Sequence, residues 1–405
     1  MNLPALEKFS DHQELTTGGS GRLGEVAMIY LDYNATTPLA PEVVQGIRPY
    51  LEEEFGNPSS DYPLGQRAQA AVAQARSRVA ALLGAQPQEI VFVSGATEAN
   101  NWVLKGVAHH RRGRGRHLVT TAIEHPAILQ PALFLLEEGW DVTFVKVDGR
   151  GLVDPDDIRR AIRPDTILIS VMLANNETGA IQPLAEISRV ARDHGIPVHT
   201  DAAQAVGKIP VDVQALGVDF LTVAGHKLYA PKGIGALYIR SGQSLTPLLH
   251  GASQESGRRA GTENVILDVA LGLACAVAQT RLPEDMAQLQ ARRDQLHALL
   301  QEGFPSLVLN GPVQERLPNT LNVSFPGLQG SSILAGLPEL AASTGAACHG
   351  PQVKVSHVLA AMGVPPAVGQ GAVRLSVGRF TTAADIDRAA HLLLTRVQDL
   401  SAAGK

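Results

Sequence analysis

The chain has 405 residues and only two cysteines, Cys275 and Cys348. Two thiols cannot build a disulfide framework, and no CxxC spacing accompanies them, so no metal site is expected. A cysteine that matters here matters as a thiol. The sequence also lacks any run near the ~20 uninterrupted apolar residues that a membrane span requires. Its N-terminus is polar, acidic and rich in Gly and Ser between Ser10 and Glu25, without the apolar stretch of a secretory signal. A cytoplasmic location away from membranes is the expectation. Basic excess is missing too: the formal net charge is -5, which argues against nucleic acid as a partner, because such binding needs a basic surface to displace counterions. The one basic run, His109–His117, is interleaved with glycines and reads as a solvated loop between a helix and a strand.

What is present is a globular composition, 45% hydrophobic and 18% charged, on a chain too long for one core. Residues 1–27 read as a disordered tail, and Met28, just before the first strand-like segment, is a second possible translation start. Residues 28–40 are expected to pack with the smaller domain, residues 41–281 to form a large cofactor-binding domain, and residues 282–405 a small C-terminal domain. In Leu64–Gly84, apolar residues at 68, 72, 75, 79, 82 and 83 keep a helical period that ends on glycine. Short β-branched runs follow at 89–93, 117–122, 142–147, 166–172, 197–200, 219–223 and 236–239, several separated by helical patterns such as Leu184–His194. Near-continuous apolar strands joined by helices predict an α/β fold with a mostly parallel sheet covered on both faces. Ligands bind such sheets at the carboxyl ends of the strands. From about Leu282 the alternation stops. A charged helix over 283–302, strands at 307–310, 320–325 and 373–377, and a helix from Ala383 to Leu400 predict a smaller α+β unit.

Three segments carry chemistry. Asp219–Gly235 presents His226 and Lys227 directly after a buried strand. Ile196–Lys208 puts Asp201 just past another strand, where a carboxylate can face a cationic ring nitrogen, with Gln204 able to reach a neighbouring oxygen. In Val93–Asn100, Gly95, Ala96 and Thr97 lead from a strand into a helix, so backbone N–H groups and the Thr97 hydroxyl can hold a phosphate. Each feature alone is weak, and a strand-end lysine can simply snorkel to the surface. Together, a phosphate cradle, a carboxylate and a lysine at strand ends match what pyridoxal 5'-phosphate requires.

The motifs IYLDYNATTPLAPEV from Ile29, GNPSS at Gly56–Ser60, SGATEANN, ANNETG at Ala174–Gly179, HTDAAQ, GHK, RAGTEN at Arg259–Asn264, GAAC at Gly345–Cys348 and RLSVGRFTT at Arg374–Thr382 cover nearly everything after Met28. On these residues the chain resembles the cysteine desulfurases of the class V aminotransferase-like group, within fold type I pyridoxal-phosphate enzymes. MLANNETG, VDFLT, LPNT and the Cys348-His349 pair also resemble selenocysteine lyase, a sister in that group. The resemblance implies that Lys227 holds the cofactor and acts as acid and base at the substrate Cα. It implies that His125 stacks on the ring and shuttles a proton, and that Asp201 and Gln204 contact the ring nitrogen and oxygen. Asn176 would lie near cofactor and substrate, Ala96, Thr97 and His226 at the phosphate, and Thr262 at the phosphate of the other subunit of a homodimer. Arg374 would clamp the substrate carboxylate with its planar fork, and Cys348 would take sulfur from L-cysteine, or selenium from L-selenocysteine, leaving alanine. A persulfide on Cys348 would pass to an acceptor or scaffold protein for iron–sulfur cluster or thio-cofactor assembly.

Two positions depart from the family pattern. Ala224 stands where a serine phosphate ligand is common, so backbone N–H groups or water are expected to replace that hydroxyl, and Ser256 stands where an arginine often follows QE. Other readings compete on the residues alone. His125 could be a core histidine, His199 reads as structural, and Cys275, in a helix of small apolar residues, reads as an inert buried thiol. Cys348 differs, because small residues precede it and a polar segment with Gly and Pro follows, which favours an accessible thiol. A transaminase would use Lys227 and Asp201 but leave Cys348 without a task. A catalytically silent partner protein would be colourless when purified.

Overall fold

The computed structural model describes residues 22–23, 26–344 and 355–403. Cys348 and His349 therefore lie outside the described residues, as does most of the segment 1–27, although Arg22–Leu23 and Val26–Ala27 pair antiparallel. Seven strands form the main sheet: β1 (Ile90–Val93), β2 (His117–Thr121), β3 (Asp141–Val145), β4 (Thr166–Ser170), β5 (Val198–Asp201), β6 (Phe220–Ala224) and β7 (Gly235–Ile239). Their order across the sheet is β1-β7-β6-β5-β4-β2-β3. Pairings among β2 to β6 are parallel, and β7 runs antiparallel to both of its neighbours. The seven apolar runs are these seven strands. Nearly every residue in β1, β2, β4, β5, β6 and β7 is buried, as expected for a sheet covered on both faces.

Helix Pro63–Leu83 ends as the sequence predicts, on Gly84 in the left-handed region at φ 65°, whose N–H bonds back to Ala80 and Ala81. Four apolar clusters form among the described residues, and two of them frame the fold. One contains Val79, Ile90, Ile169, Val198, Leu221 and Leu271. The other gathers Leu296, Leu321, Leu375 and Leu393 with Ile29 and Leu31 from the N-terminal segment. Strands Val308–Leu309, Thr320–Ser324 and Ala372–Ser376 form the small antiparallel sheet over the second core.

Two expectations are corrected. The helical stretches on either side of residue 282 are one helix, Val265–Gly303, with Pro283 inside it. The basic run is only partly a loop: His109, His110 and Arg111 complete helix Ala96–Arg111, while His117 is fully buried in β2 between Thr166 and Thr143. Among the described residues Val265–Gly303 is the one helix long and apolar enough to cross a membrane, and half of its apolar window is buried within the fold.

Candidate active site

The carboxyl ends of β1, β5 and β6 open on a cavity of about 730 Å³ lined by Thr36, Ser94, Ala96, Thr97, His125, Asn176, Asp201, Gln204, His226, Lys227 and Arg374, among others. It is not the largest hollow. A cavity of about 860 Å³ bordered by Asp148, Asp154 and Glu315 contains none of the predicted residues. The smaller one holds the chemistry.

Lys227 and Asp201 are positioned by the ends of their strands. After β6 the chain makes one 3-10 turn, Gly225–Lys227, and the Lys227 amine donates to the backbone carbonyls of Asn34 and Ala35, both at 2.5 Å. Burial and the nearby Arg374 charge lower its pKa to about 8. Asp201 closes β5; its carboxylate accepts from Asn100 Nδ2 at 2.7 Å and from the Ala203 N–H at 3.0 Å. Helix Ala96–Arg111 begins after Gly95, whose φ of 151° is a conformation open to glycine, and a Cβ there would meet nothing within 4 Å. The first N–H groups of a helix have no intrahelical acceptor, and here the residues that open it, Gly95, Ala96 and Thr97, line the cavity. His226 lies beside Thr36, Nδ1 to Oγ1 at 3.2 Å, and burial drives its pKa down to about 4.

His125 is exposed to the cavity, which excludes the core-histidine reading. It caps helix Pro126–Glu137 through Nδ1, which accepts from the Ala127 N–H at 3.1 Å. The neutral ring thus carries its proton on Nε2. Desolvation in the cleft outweighs the nearby Asp201 carboxylate and keeps the ring below its usual pKa. His199 is fully buried between Ser170 and Thr222, with its pKa lowered to about 3 by burial, and Cys275 is fully buried with its thiol pushed up to about 12. Both have the structural character expected of them.

Arg374 projects from strand Ala372–Ser376. Nη2 pairs with Asp32 at 2.7 Å, Nη1 donates to the Asn176 carbonyl at 3.1 Å, and Nε is buried without a partner among the described residues. The guanidinium lines the cavity, where its planar fork suits an incoming carboxylate. Thr262 does not line this cavity. It borders a second one of about 190 Å³, which shares the wall at Ser94, Gly233 and Ile234. Of the two departures, Ala224 lines the main cavity, and Ser256 sits with Glu255 in the left-handed region, φ 58° and 52°.

Several contributors escaped the sequence reading. Asp32 and Asn34 come from the LDYNATT motif, and only the fold brings that segment against Arg374 and Lys227. Buried Asn100 holds Asp201. Glu177, buried beside Asn176, accepts from the Ser356 hydroxyl at 2.5 Å. Lys208 stands behind Gln204. A lone Asp or Asn in sequence carries no sign of a partner hundreds of residues away.

The sheet order, the lysine after β6 and the carboxylate closing β5 define a fold type I enzyme scaffold, and the chain belongs to the class V aminotransferase family, whose model matches residues 29–389. Within that family its relatives are cysteine desulfurases. It is 46% identical to the cysteine desulfurase IscS of Methanosarcina thermophila over 92% of each chain. A solved NifS-like protein superposes with a TM-score of 0.85 at 37% identity, covering 92% of this chain and 99% of that one. A structure of SspA in complex with cysteine superposes at 0.78, also at 37% identity, over 87% and 99%.

Proposed function

We propose that this chain is a pyridoxal-phosphate-dependent cysteine desulfurase that converts L-cysteine to L-alanine and takes the sulfur on Cys348. The observation that carries the proposal is the convergence of Lys227, Asp201, His125 and Arg374 on one cavity, in a chain whose relatives are desulfurases. The residues fit the cofactor. The first turn after Gly95, with Thr97 and His226, suits a phosphate. Asp201, fixed by Asn100, suits a ring nitrogen, and Gln204 a ring oxygen. Pyridoxal phosphate, when bound, supplies an aldehyde and a protonated ring that draws electrons from the α-carbon of an amino acid.

The protein supplies the rest. Arg374 holds the substrate carboxylate, braced by Asp32 and the Asn176 carbonyl. Lys227, with its lowered pKa, takes the Cα proton near neutral pH. The Cys348 thiolate attacks the substrate sulfur; the S–S bond forms as Cβ–S breaks, and the electron pair left at Cβ takes up a proton as alanine forms. Both described ends adjoining the Cys348 segment are anchored beside the cavity. Ser343 pairs through its backbone with Arg374, and Ser356 is bonded to Glu177.

Homodimer formation belongs to the same reading. Large apolar side chains stand exposed on helix Pro41–Glu52 and the segment after it, Val44, Leu51, Phe55 and Tyr62, with Phe55 81% exposed. Thr262, outside its own chain's cavity, is the residue offered to the partner's phosphate. The persulfide then serves an acceptor protein in iron–sulfur or thio-cofactor assembly in the cytoplasm. The deciding experiment incubates the purified yellow protein with cysteine and excess dithiothreitol, which reduces the Cys348 persulfide to thiol and sulfide, and measures alanine and sulfide. Equal release of both is expected. Keto-acid formation with an amino donor, and no alanine from cysteine, would establish a transaminase instead.

A further inference from the structure

Behind Gln204 lies a buried amine that the reaction does not use. Lys208 is 6% exposed and does not line the cavity. Its Nζ donates to Gln204 Oε1 at 2.7 Å, and among the described residues that oxygen is its sole hydrogen-bond partner. Burial, followed by the charges of Lys227 and Arg374, pushes its pKa well below the ordinary lysine value. A buried lysine without a carboxylate costs stability, and an apolar side chain of the same length would fill the space more favourably. Packing therefore does not account for it.

What the amine does is fix an amide. On its other side Gln204 donates from Nε2 to the Asn34 carbonyl at 2.9 Å. The Asn34 carbonyl can only accept, so the amide nitrogen must face it, and the oxygen then faces the Lys208 amine, which donates to it whether charged or neutral. Only one of the two amide orientations satisfies both neighbours, with nitrogen toward Asn34 and oxygen toward Lys208. The second N–H of Nε2 is then left for the cavity that Gln204 lines. We propose that Lys208 is a positioning residue that locks the Gln204 amide so that the site offers a donor, not an acceptor, to the ring oxygen of the bound cofactor. The proposal rests on the cofactor reading given above. A donor there favours the ionised ring oxygen and lowers the pH at which the visible chromophore titrates.

The test compares holoenzymes by absorbance against pH: wild type, Lys208→Met, Gln204→Leu and the double variant. Each single variant is expected to move the titration midpoint upward by about half to one pH unit, the effect of one lost hydrogen bond. The double variant should shift no further than Gln204→Leu alone, because both changes act through one amide. KM for cysteine should change less than kcat, since the carboxylate clamp is untouched. A Lys208→Met enzyme that titrates like wild type, whatever its thermal stability, overturns the proposal, and so do additive shifts. Should Lys208→Met fail to fold, neutron diffraction on the wild-type holoenzyme decides the matter. Nitrogen of Gln204 against the ring oxygen is expected, and oxygen there overturns it. A wild-type protein that takes up no pyridoxal phosphate defeats the cofactor reading and this proposal together, whereas a yellow enzyme without the shift defeats this proposal alone.

Discussion

At Lys227 two backbone carbonyls hold the amine while burial and Arg374 lower its pKa to about 8. A lysine lowered in this way is cationic below that value and increasingly a free amine above it. Capture of pyridoxal phosphate by the cofactor-free protein should therefore accelerate as pH rises through about 8, well below the usual lysine range. Stopped-flow absorbance reads the rate, and a midpoint near 10.5 would contradict the geometry. Lys227→Ala should melt with wild-type cooperativity and form no visible band, with cysteine turnover reduced by at least roughly 10²–10⁴, the worth of one acid/base group. Cys348 is tested by supplying both substrates to Cys348→Ala. A selenol is a far better leaving group than a thiol, so selenocysteine should retain partial turnover by direct release of selenium while cysteine turnover is lost. Cysteine turnover at the wild-type rate would exclude the persulfide step. Arg374 was legible as a clamp from its motif, but its brace was not: Asp32 lies 342 positions away, and only the pairing of Asp32 with Ser376 brings the two together.

Elements were more legible than contacts. Runs such as Thr166–Ser170 and Phe220–Ala224 are buried throughout and mostly apolar because both sheet faces are covered, and that pattern needs no tertiary information. The long helix Val265–Gly303 was read as two because Pro283 breaks its pattern. It stays whole because its two halves are buried in different cores, Val269, Leu271 and Cys275 in one and Leu289, Leu296 and Leu300 in the other. Burial at both ends outweighs one missing hydrogen bond, and a sequence window cannot see it. The N-terminal half lies so close to helix Pro63–Leu83 that a Cβ on Gly272 would stand 2.5 Å from Ala75 Cα. Backbone cannot yield there as a side chain can, so Gly272→Ala should destabilise the protein by about 1–3 kcal/mol. A chemical denaturation curve that superposes on wild type would show that the two helices tolerate separation.

For the whole molecule, the exposed apolar face of helix Pro41–Glu52 and the placement of Thr262 outside its own cavity predict one behaviour. Replacing Leu51 and Phe55 by Asp should yield a 42.8 kDa monomer in sedimentation, and this monomer should hold its cofactor less tightly than wild type. A dimer that persists would place the interface elsewhere. A second property of the whole fold is its response to pH. Glu124 is fully buried next to His125; Oε1 accepts from Thr121 and from the Met172 N–H, while Oε2 has no partner among the described residues. Desolvation raises its pKa to about 8 from 4.5. A carboxyl whose folded pKa is raised contributes its full stability below the unfolded value, and that contribution is lost as pH climbs toward and through 8. Asp268, 2% exposed and also raised to about 8 by burial, acts in the same direction. The contribution of these two carboxyls to stability toward urea should accordingly fall between about pH 5 and 8.5, against an opposite rise from the neutral buried rings of His199 and His226 that is complete by about pH 6.5. Glu124→Gln keeps a neutral group of the same shape, so its curve should fall less steeply over that window, with the remaining slope owed in part to Asp268. Parallel curves for the two proteins would mean that Glu124 is ionised in the folded state, which its unpartnered oxygen and complete burial oppose.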